Sequence, residues 1–280
     1  MNIIQLIING LLLGGVYALL GIGMNMIFGI VGLTNLAHGE FVVLGAYIST
    51  ITSQRLGIDP ILTLVISVPF MFLLGVLLQS GLFNHAMKRG AEPALLVAFG
   101  VSIILQDAML LLFTADAQHA ATSYSLDTVS IGAIDVSVLN IILFVISLIV
   151  VLILTGFLEK THEGRAIRAV SDDSQVAALS GVNINRVYGI AMGISLATAA
   201  VAGLCVGIKW TFYSSSGGRY LLIAFIVVVI GGMGSIPGTL LAGLLFGLAQ
   251  VIVGANYGML ISYVLLLIVL AIQPKGLLGH

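Results

Sequence analysis

Charge is what this chain has least of: Asp, Glu, Lys and Arg make up 8% of its 280 residues, against roughly 25% in ordinary soluble domains. With 60% of residues hydrophobic, a water-soluble fold would have to expose long apolar stretches, which soluble monomers avoid. The formal net charge of −1 argues against a nucleic-acid-binding surface. The single cysteine, Cys205, lies in an apolar run and excludes a disulfide framework; it reads as a small packing residue. Catalytic signatures are missing as well. None of Lys88, Lys160, Lys209 and Lys275 has the preceding Gly and following Ser or Thr of a phosphate-binding loop. The histidines (His38, His85, His119, His162 and His280) show no paired metal-ligand spacing, and no G-x-S-x-G elbow occurs. The expectation is a chain that is not an enzyme and carries no cofactor or metal.

What is present in quantity is apolar sequence long enough to span a bilayer, which takes about 20 mostly apolar residues per helix. Such runs fall at about 3–28, 35–53, 60–83, 93–113, 136–158 and 186–208, with a last block over 220–274. They are apolar on every side rather than alternating at period two, so membrane strands are the poorer reading. The fold class expected is all-α: a polytopic transmembrane helical bundle of eight or nine spans with broken helices, in one domain over 1–280. The run at the N-terminus, Ile3 to Phe28, is too long for a signal-peptide core and lacks a basic flank, so it reads as a retained first helix. The 34 glycines read first as close helix packing, since small residues let backbones approach within lipid.

Orientation follows from Lys and Arg. Lys88 and Arg89 mark one connection; Lys160, Arg165, Arg168 and Arg186 mark another, two runs later. Both should be cytoplasmic. The connection between them, Thr114–Asp135, holds Asp116, Asp127 and Asp135 and no Lys or Arg, as an external loop would. Counting spans puts the N-terminus outside, and Lys275 puts the C-terminus inside. Lys209-Trp210-Thr211-Phe212-Tyr213 reads as an interfacial anchor, with amphipathic rings at headgroup depth.

Four features interrupt the apolar text. In Gly32–Phe41, Asn35, His38 and Glu40 fall within six positions around Gly39. Unsatisfied polar groups in lipid cost several kcal/mol, so this stretch is a turn with Asn35 as an N-cap, a buried break, or the lining of a hydrated path. In Gly231–Gly238, the residues Gly231, Gly232, Gly234, Ser235, Pro237 and Gly238 make either a tight turn or a hinge near a transport site. In Glu159–Arg186, apolar positions alternate with Arg165, Arg168, Asp172 and Asp173, and Gly181 is a plausible C-cap; mixed charge with a small apolar face favours docking to a protein. Gln106 and Asp107 lie within the fourth span, where a carboxylate costs at least ~2.5 kcal/mol unless it faces water. Asn9, Asn25 and Gln250 read as hydrogen bonds between helices.

Five stretches in this order carry a resemblance over nearly the whole chain: Asn9–Tyr47, Ala94–Gln106, Glu163–Val187, Gly231–Gln250 and Pro274–Gly279. They are similar to the permease subunits of bacterial branched-chain amino acid ABC importers, of the shorter leucine/isoleucine/valine type. The resemblance implies a multi-pass protein of the bacterial inner membrane that transports amino acids. It also implies a second related permease or a second copy, two cytoplasmic ATPase subunits that hydrolyse ATP, and an external solute-binding protein. It implies that the segment at about 159–186 docks into an ATPase cleft, with Gly164, Ala169, Asp172, Ala177 and Gly181 as contacts. Substrate would pass Asn35, His38, Glu40, Gln106 and Ser235, with Gly39, Gly231, Gly232, Gly234, Pro237 and Gly238 as hinges. Relatives of this architecture linked to urea and short-chain amides leave two alternatives: a permease or an ATP-independent channel for those solutes. A proton-coupled carrier using Glu40 or Asp107 is a third reading.

Overall fold

A computed structural model describes residues 3–32, 34–131, 134–254, 257–273 and 276–278. Pro274, Lys275, Gly279 and His280, which enter the readings above, lie outside the described residues. Of the described residues, 81% are helical. Among the described residues seven helical stretches are long and apolar enough to cross a membrane: Ile3–Val31, Pro60–Met87, Ala91–Phe113, Val138–Lys160, Ile184–Lys209, Ser214–Gly231 and Ile236–Val253.

In chain order, α1 (Ile3–Val31) is followed by α2 (His38–Leu56), and then by one 28-residue helical run. That run contains a 3-10 turn at Pro60–Thr63, α3 (Leu64–Leu78), a π turn at Gln79–Phe83 and α4 (Asn84–Met87). Next come α5 (Ala91–Phe113), a hairpin of β1 (Thr128–Ile131) and β2 (Ile134–Ser137), and α6 (Val138–Lys160). Two short helices, α7 (His162–Asp172) and α8 (Ser174–Leu179), lead to α9 (Ile184–Lys209). The chain closes with α10 (Gly217–Gly231), α11 (Ile236–Val253) and α12 (Gly258–Ile272). Besides the short α7 and α8, two helices fall outside the seven candidate spans. The 19-residue α2 carries Glu40, Ser49, Thr50, Ser53 and Arg55, and α12 has 15 residues.

Small residues decide which helices touch. Antiparallel α1 and α11 pack backbone to backbone: a Cβ on Gly14 would lie 2.6 Å from Leu244 Cα, and one on Gly243 would lie 2.6 Å from Ala18 Cα. The spacing Gly10-x3-Gly14-x3-Ala18 facing Gly243-x3-Gly247 is the small-xxx-small pattern that membrane helices use. A second seam joins α2 to α9, where a Cβ on Gly45 would meet Ala200 Cα at 2.8 Å. A third seam sets Phe72 and Val76 of α3 on Gly193 and Gly189 of α9. These seams make α9 the central helix, buried over most of its length, whereas α5 turns most of its surface outward.

The contacts also sort the two ends of the bundle. Gly29 near the end of α1 lies against Gly234, and the Ser171 hydroxyl of α7 donates to the Gly29 carbonyl. The N–H groups of Leu277 and Leu278 return to the carbonyls of Ile230 and Gly231 at 2.8 and 3.1 Å. The α10–α11 turn, α7 and the described tail therefore share one end, called the α7 end below. At the opposite end the segment after α5 is tied down by Ala120 N–H donating to Gly207 carbonyl at 2.8 Å and by Gln118 pairing with Phe212. There Tyr124 donates to Asp59 Oδ1 at 3.2 Å. Burial and then the Asp59 charge push the Tyr124 phenol up to about 12, so it remains a donor.

The anchor reading of Lys209–Tyr213 needs correction. Phe212 is completely buried, edge-on to Tyr47 at 4.9 Å, and Trp210 stacks on Tyr17 at 5.9 Å. These rings pack against protein. Of the three rings only that of Tyr213 is exposed.

Candidate functional site

The first interruption is a re-entrant break. Gly32 turns the chain with φ +70, and α2 then starts well inside the bundle. His38 Nε2–H donates to the Leu20 carbonyl at 3.1 Å, and Leu20 lies eleven residues before the end of α1, about 16 Å along its axis. Asn35 Oδ1 accepts the N–H of Ala37 at 3.1 Å, and the Asn35 carbonyl accepts the N–H of His38 at 3.0 Å. The helix cap itself falls on Ala37 rather than Asn35, so the expected N-cap moves two positions.

The start of α2 meets the start of α10. A Cβ on Gly39 would overlap the Gly217 carbonyl, and a Cβ on Gly217 would overlap the carboxyl of Glu40. Only glycine at both positions lets these helix starts approach so closely. Glu40, 4% exposed, is thereby held at the positive end of the α10 dipole. Its Oε2 and His38 Nδ1 have no hydrogen-bond partner among the described residues.

His38 and Glu40 are enclosed by α1, α9 and α10 and border no open conduit. Asn35 reaches a cavity of about 20 Å3, shared with Gln79 and Met192, room for one water at most. Ser235 spends its hydroxyl on the N–H of Gly238 at 3.1 Å, capping α11. Of the five pathway residues, only Gln106 lies on a helix face that turns outward. It is half-buried on α5, with Asp107 exposed beside it.

The Gly231–Gly238 interruption is a tight turn at the α7 end and not a break at mid-depth. Gly231 and Gly238 touch backbone to backbone, Gly232 and Gly234 have φ of +98 and +86, and Pro237 sits in the first turn of α11. The residue that fixes the turn is one the sequence reading treated as a generic inter-helix contact. Asn25 Oδ1 accepts Gly234 N–H at 2.6 Å, and its Nδ2 donates to the Ser235 carbonyl at 2.8 Å and to Thr239 Oγ1.

The third interruption forms a helix pair. Thr161 Oγ1 caps α7 through Gly164 N–H at 2.9 Å. Asp173 ends α7 and caps α8, accepting from Gln175 and Val176 N–H at 2.8 and 3.0 Å. Gly181, φ +87, closes α8: its N–H reaches the Ala178 carbonyl and that of Val182 reaches Ala177, the paired bonds of a Schellman motif. Ile167 and Val170 face the bundle, while Arg165, Arg168, Ala169 and Asp172 face out. Glu163 and Arg186 join the two ends of the segment at 2.6 Å.

Two of the five expected docking residues are buried: Gly164 is pressed on the Phe157–Leu158 backbone, and Ala177 is 4% exposed. Ala169, Asp172 and Gly181 remain on the surface. The sequence reading omitted Val176 and Leu179, whose side chains stand 58% and 89% exposed. They belong to the small apolar face from which docking to a protein was expected.

A model of the family described as "Branched-chain amino acid transport system / permease component" matches residues 6–270. The high-affinity branched-chain amino acid transport system permease protein BraD of Pseudomonas aeruginosa is 33% identical, covering 99% of this chain and 96% of that protein. LivH of Escherichia coli K12, described in the same words, is 31% identical over the same shares. LivM of Salmonella typhimurium, also described as a high-affinity branched-chain amino acid permease protein, is 28% identical over 94% of this chain and 68% of its own length. No solved structure matches. These descriptions name branched-chain amino acids and do not favour the urea or amide alternative.

Proposed function

The chain belongs to the permease-component family of branched-chain amino acid transport systems, and from that membership we propose that it forms part of the amino acid path of an ABC importer. The observation that carries this reading is a match running end to end, through the spans and the α7–α8 pair alike. Branched-chain or other small amino acids are the proposed solutes. The proposed partners are a second related permease or a second copy, two cytoplasmic ATPases that hydrolyse the ATP, and an external binding protein. The similarity to both LivH and LivM proteins supports a pair of related permeases.

We place the α7 end in the cytoplasm of a bacterial inner-membrane protein, with the N-terminus outside. What supports this is charge. The packing of α3 on α9 carries Lys88 and Arg89 to the same end as Arg165, Arg168 and Arg186, and positive charge concentrates inside. The α7–α8 pair then presents Ala169, Asp172, Val176, Leu179 and Gly181 to an ATPase. An apolar pair exposed in water, set among charges, suits a groove in a protein better than an anionic lipid surface.

For the path itself, the α5 face bearing Gln106 and Asp107 is proposed to meet the second permease. A carboxylate on an outward face of a span is costly against lipid and acceptable against a hydrated seam. His38 and Glu40 are proposed to hold the re-entrant helix in place, with solute passing outside the closed core.

The test is leucine uptake into proteoliposomes holding the complete importer, with and without ATP and with and without a proton gradient. Uptake that requires ATP and the partner subunits is the expected result. Flux through this chain without an ATPase would replace the reading with a channel, and uptake tracking the proton gradient would replace it with a carrier.

A further inference from the structure

At the end of the bundle opposite α7 lies a cavity of about 430 Å3, within the range of sites for small molecules. Its polar lining comes from five helices: Asn9 and Tyr17 of α1, Asn140 of α6, Lys209 of α9, Arg219 of α10 and Gln250 of α11. Among the described residues no Asp or Glu lines it, and the one ion pair is Arg186–Glu163 at the far end. Lys209 Nζ donates to Asn140 Oδ1, which leaves the Asn140 NH2 as a further donor. Arg219 is the third residue of α10 and lines the cavity, while the N-terminus of that helix is taken up by the Glu40 carboxyl.

Such a concentration needs an explanation. Two cations converge in one partly enclosed space, and on the orientation proposed above they lie outside, against the usual bias of membrane proteins. Lys209 is half-buried and Arg219 exposed, and with no Asp or Glu among the described lining residues both cations favour a negatively charged occupant. We propose that this cavity is an oxyanion site, which takes the carboxylate of a small zwitterionic solute or the phosphodiester of an outer-leaflet phospholipid. The carboxylate source rests on the transport reading; the phosphodiester source does not.

The test uses the complete importer in nanodiscs of phosphatidylcholine, with or without phosphatidylglycerol. It compares wild type, the double variant Lys209→Gln with Arg219→Gln, and the charge-keeping pair Lys209→Arg with Arg219→Lys. The probes are binding of labelled leucine, set against leucinamide, and retention of phosphatidylglycerol by native mass spectrometry. For a carboxylate site, wild type prefers leucine to leucinamide and the double variant weakens leucine binding by about tenfold or more, as loss of a charge-assisted hydrogen bond would. For a phosphodiester site, wild type retains phosphatidylglycerol and the double variant releases it. The charge-keeping pair recovers whichever property was lost. If the double variant matches wild type in both measurements, the site does not exist. A complex that binds leucine here but cannot take it up refutes the transport reading and leaves the site standing.

Discussion

The side-chain amide of Asn25 accepts the backbone N–H of Gly234 at 2.6 Å, joining α1 to a turn 209 positions further along the chain. The same amide donates to the Ser235 carbonyl and Thr239 Oγ1, so one side chain satisfies polar groups that the α10–α11 turn would otherwise leave bare. Asn25→Leu is expected to destabilise the protein by about 1–3 kcal/mol, the cost of stranding buried partners. Thermal unfolding in detergent measures this; an unchanged midpoint would mean that water replaces the amide.

The meeting of α2 and α10 predicts a sharp contrast between glycines. Gly39→Ala drives a methyl into the Gly217 carbonyl and should cost about 1–3 kcal/mol or prevent folding. Gly218→Ala meets nothing within 4 Å and should be neutral or slightly stabilising, because Ala outranks Gly in helices. Expression and unfolding temperature report both. Equal behaviour of the two variants would refute the close approach.

Coupling should depend on exposed α8 side chains and fold on its buried one. Leu179→Asp, at an 89% exposed position, should leave the unfolding midpoint unchanged and lower ATP-driven uptake by about tenfold or more, as loss of an interface anchor does. Ala177→Asp, at a 4% exposed position, should instead lower stability by about 2 kcal/mol or more through an unpaired buried charge. Full transport by Leu179→Asp would remove α8 from the proposed docking surface.

Asp107 provides a test of the second-permease face. If it lies at a hydrated seam, Asp107→Leu should weaken the permease pair or its transport while the single chain inserts as well as before. If it faces lipid, the same change should aid insertion by roughly 2.5 kcal/mol or more and leave pairing intact. Co-purification of the two permeases and uptake by the complex separate these outcomes.

Much of the helix inventory was legible in the residues because its cause is local. An apolar run long enough to span a bilayer has few alternatives to helix in lipid, and the expected run at 60–83 reappears inside Pro60–Met87, as does 93–113 inside Ala91–Phe113. The caps of the polar segment were equally local: Gly181 was expected as a helix terminator and adopts φ +87. Roles that depend on neighbours were not legible. Gly164 and Ala177 look from sequence like surface residues of a polar loop, yet packing on α6 and α9 buries them. Lys209 looks like an anchor until Arg219 and Asn140 are seen across the same cavity.

The sequence by itself determined that the chain lives in a bilayer, where its helices run and which family it joins, because hydropathy, turn chemistry and ordered motifs are properties of contiguous residues. Only the tertiary structure decided that α2 begins at mid-depth, that the glycine-rich turn lies at the α7 end, and that His38 and Glu40 are sealed in. Those outcomes come from the approach of backbones distant in sequence, such as Gly39 to Gly217 and Gly29 to Gly234. The reason is steric: glycine permits such an approach at many positions, and only the assembled bundle selects which of them are used.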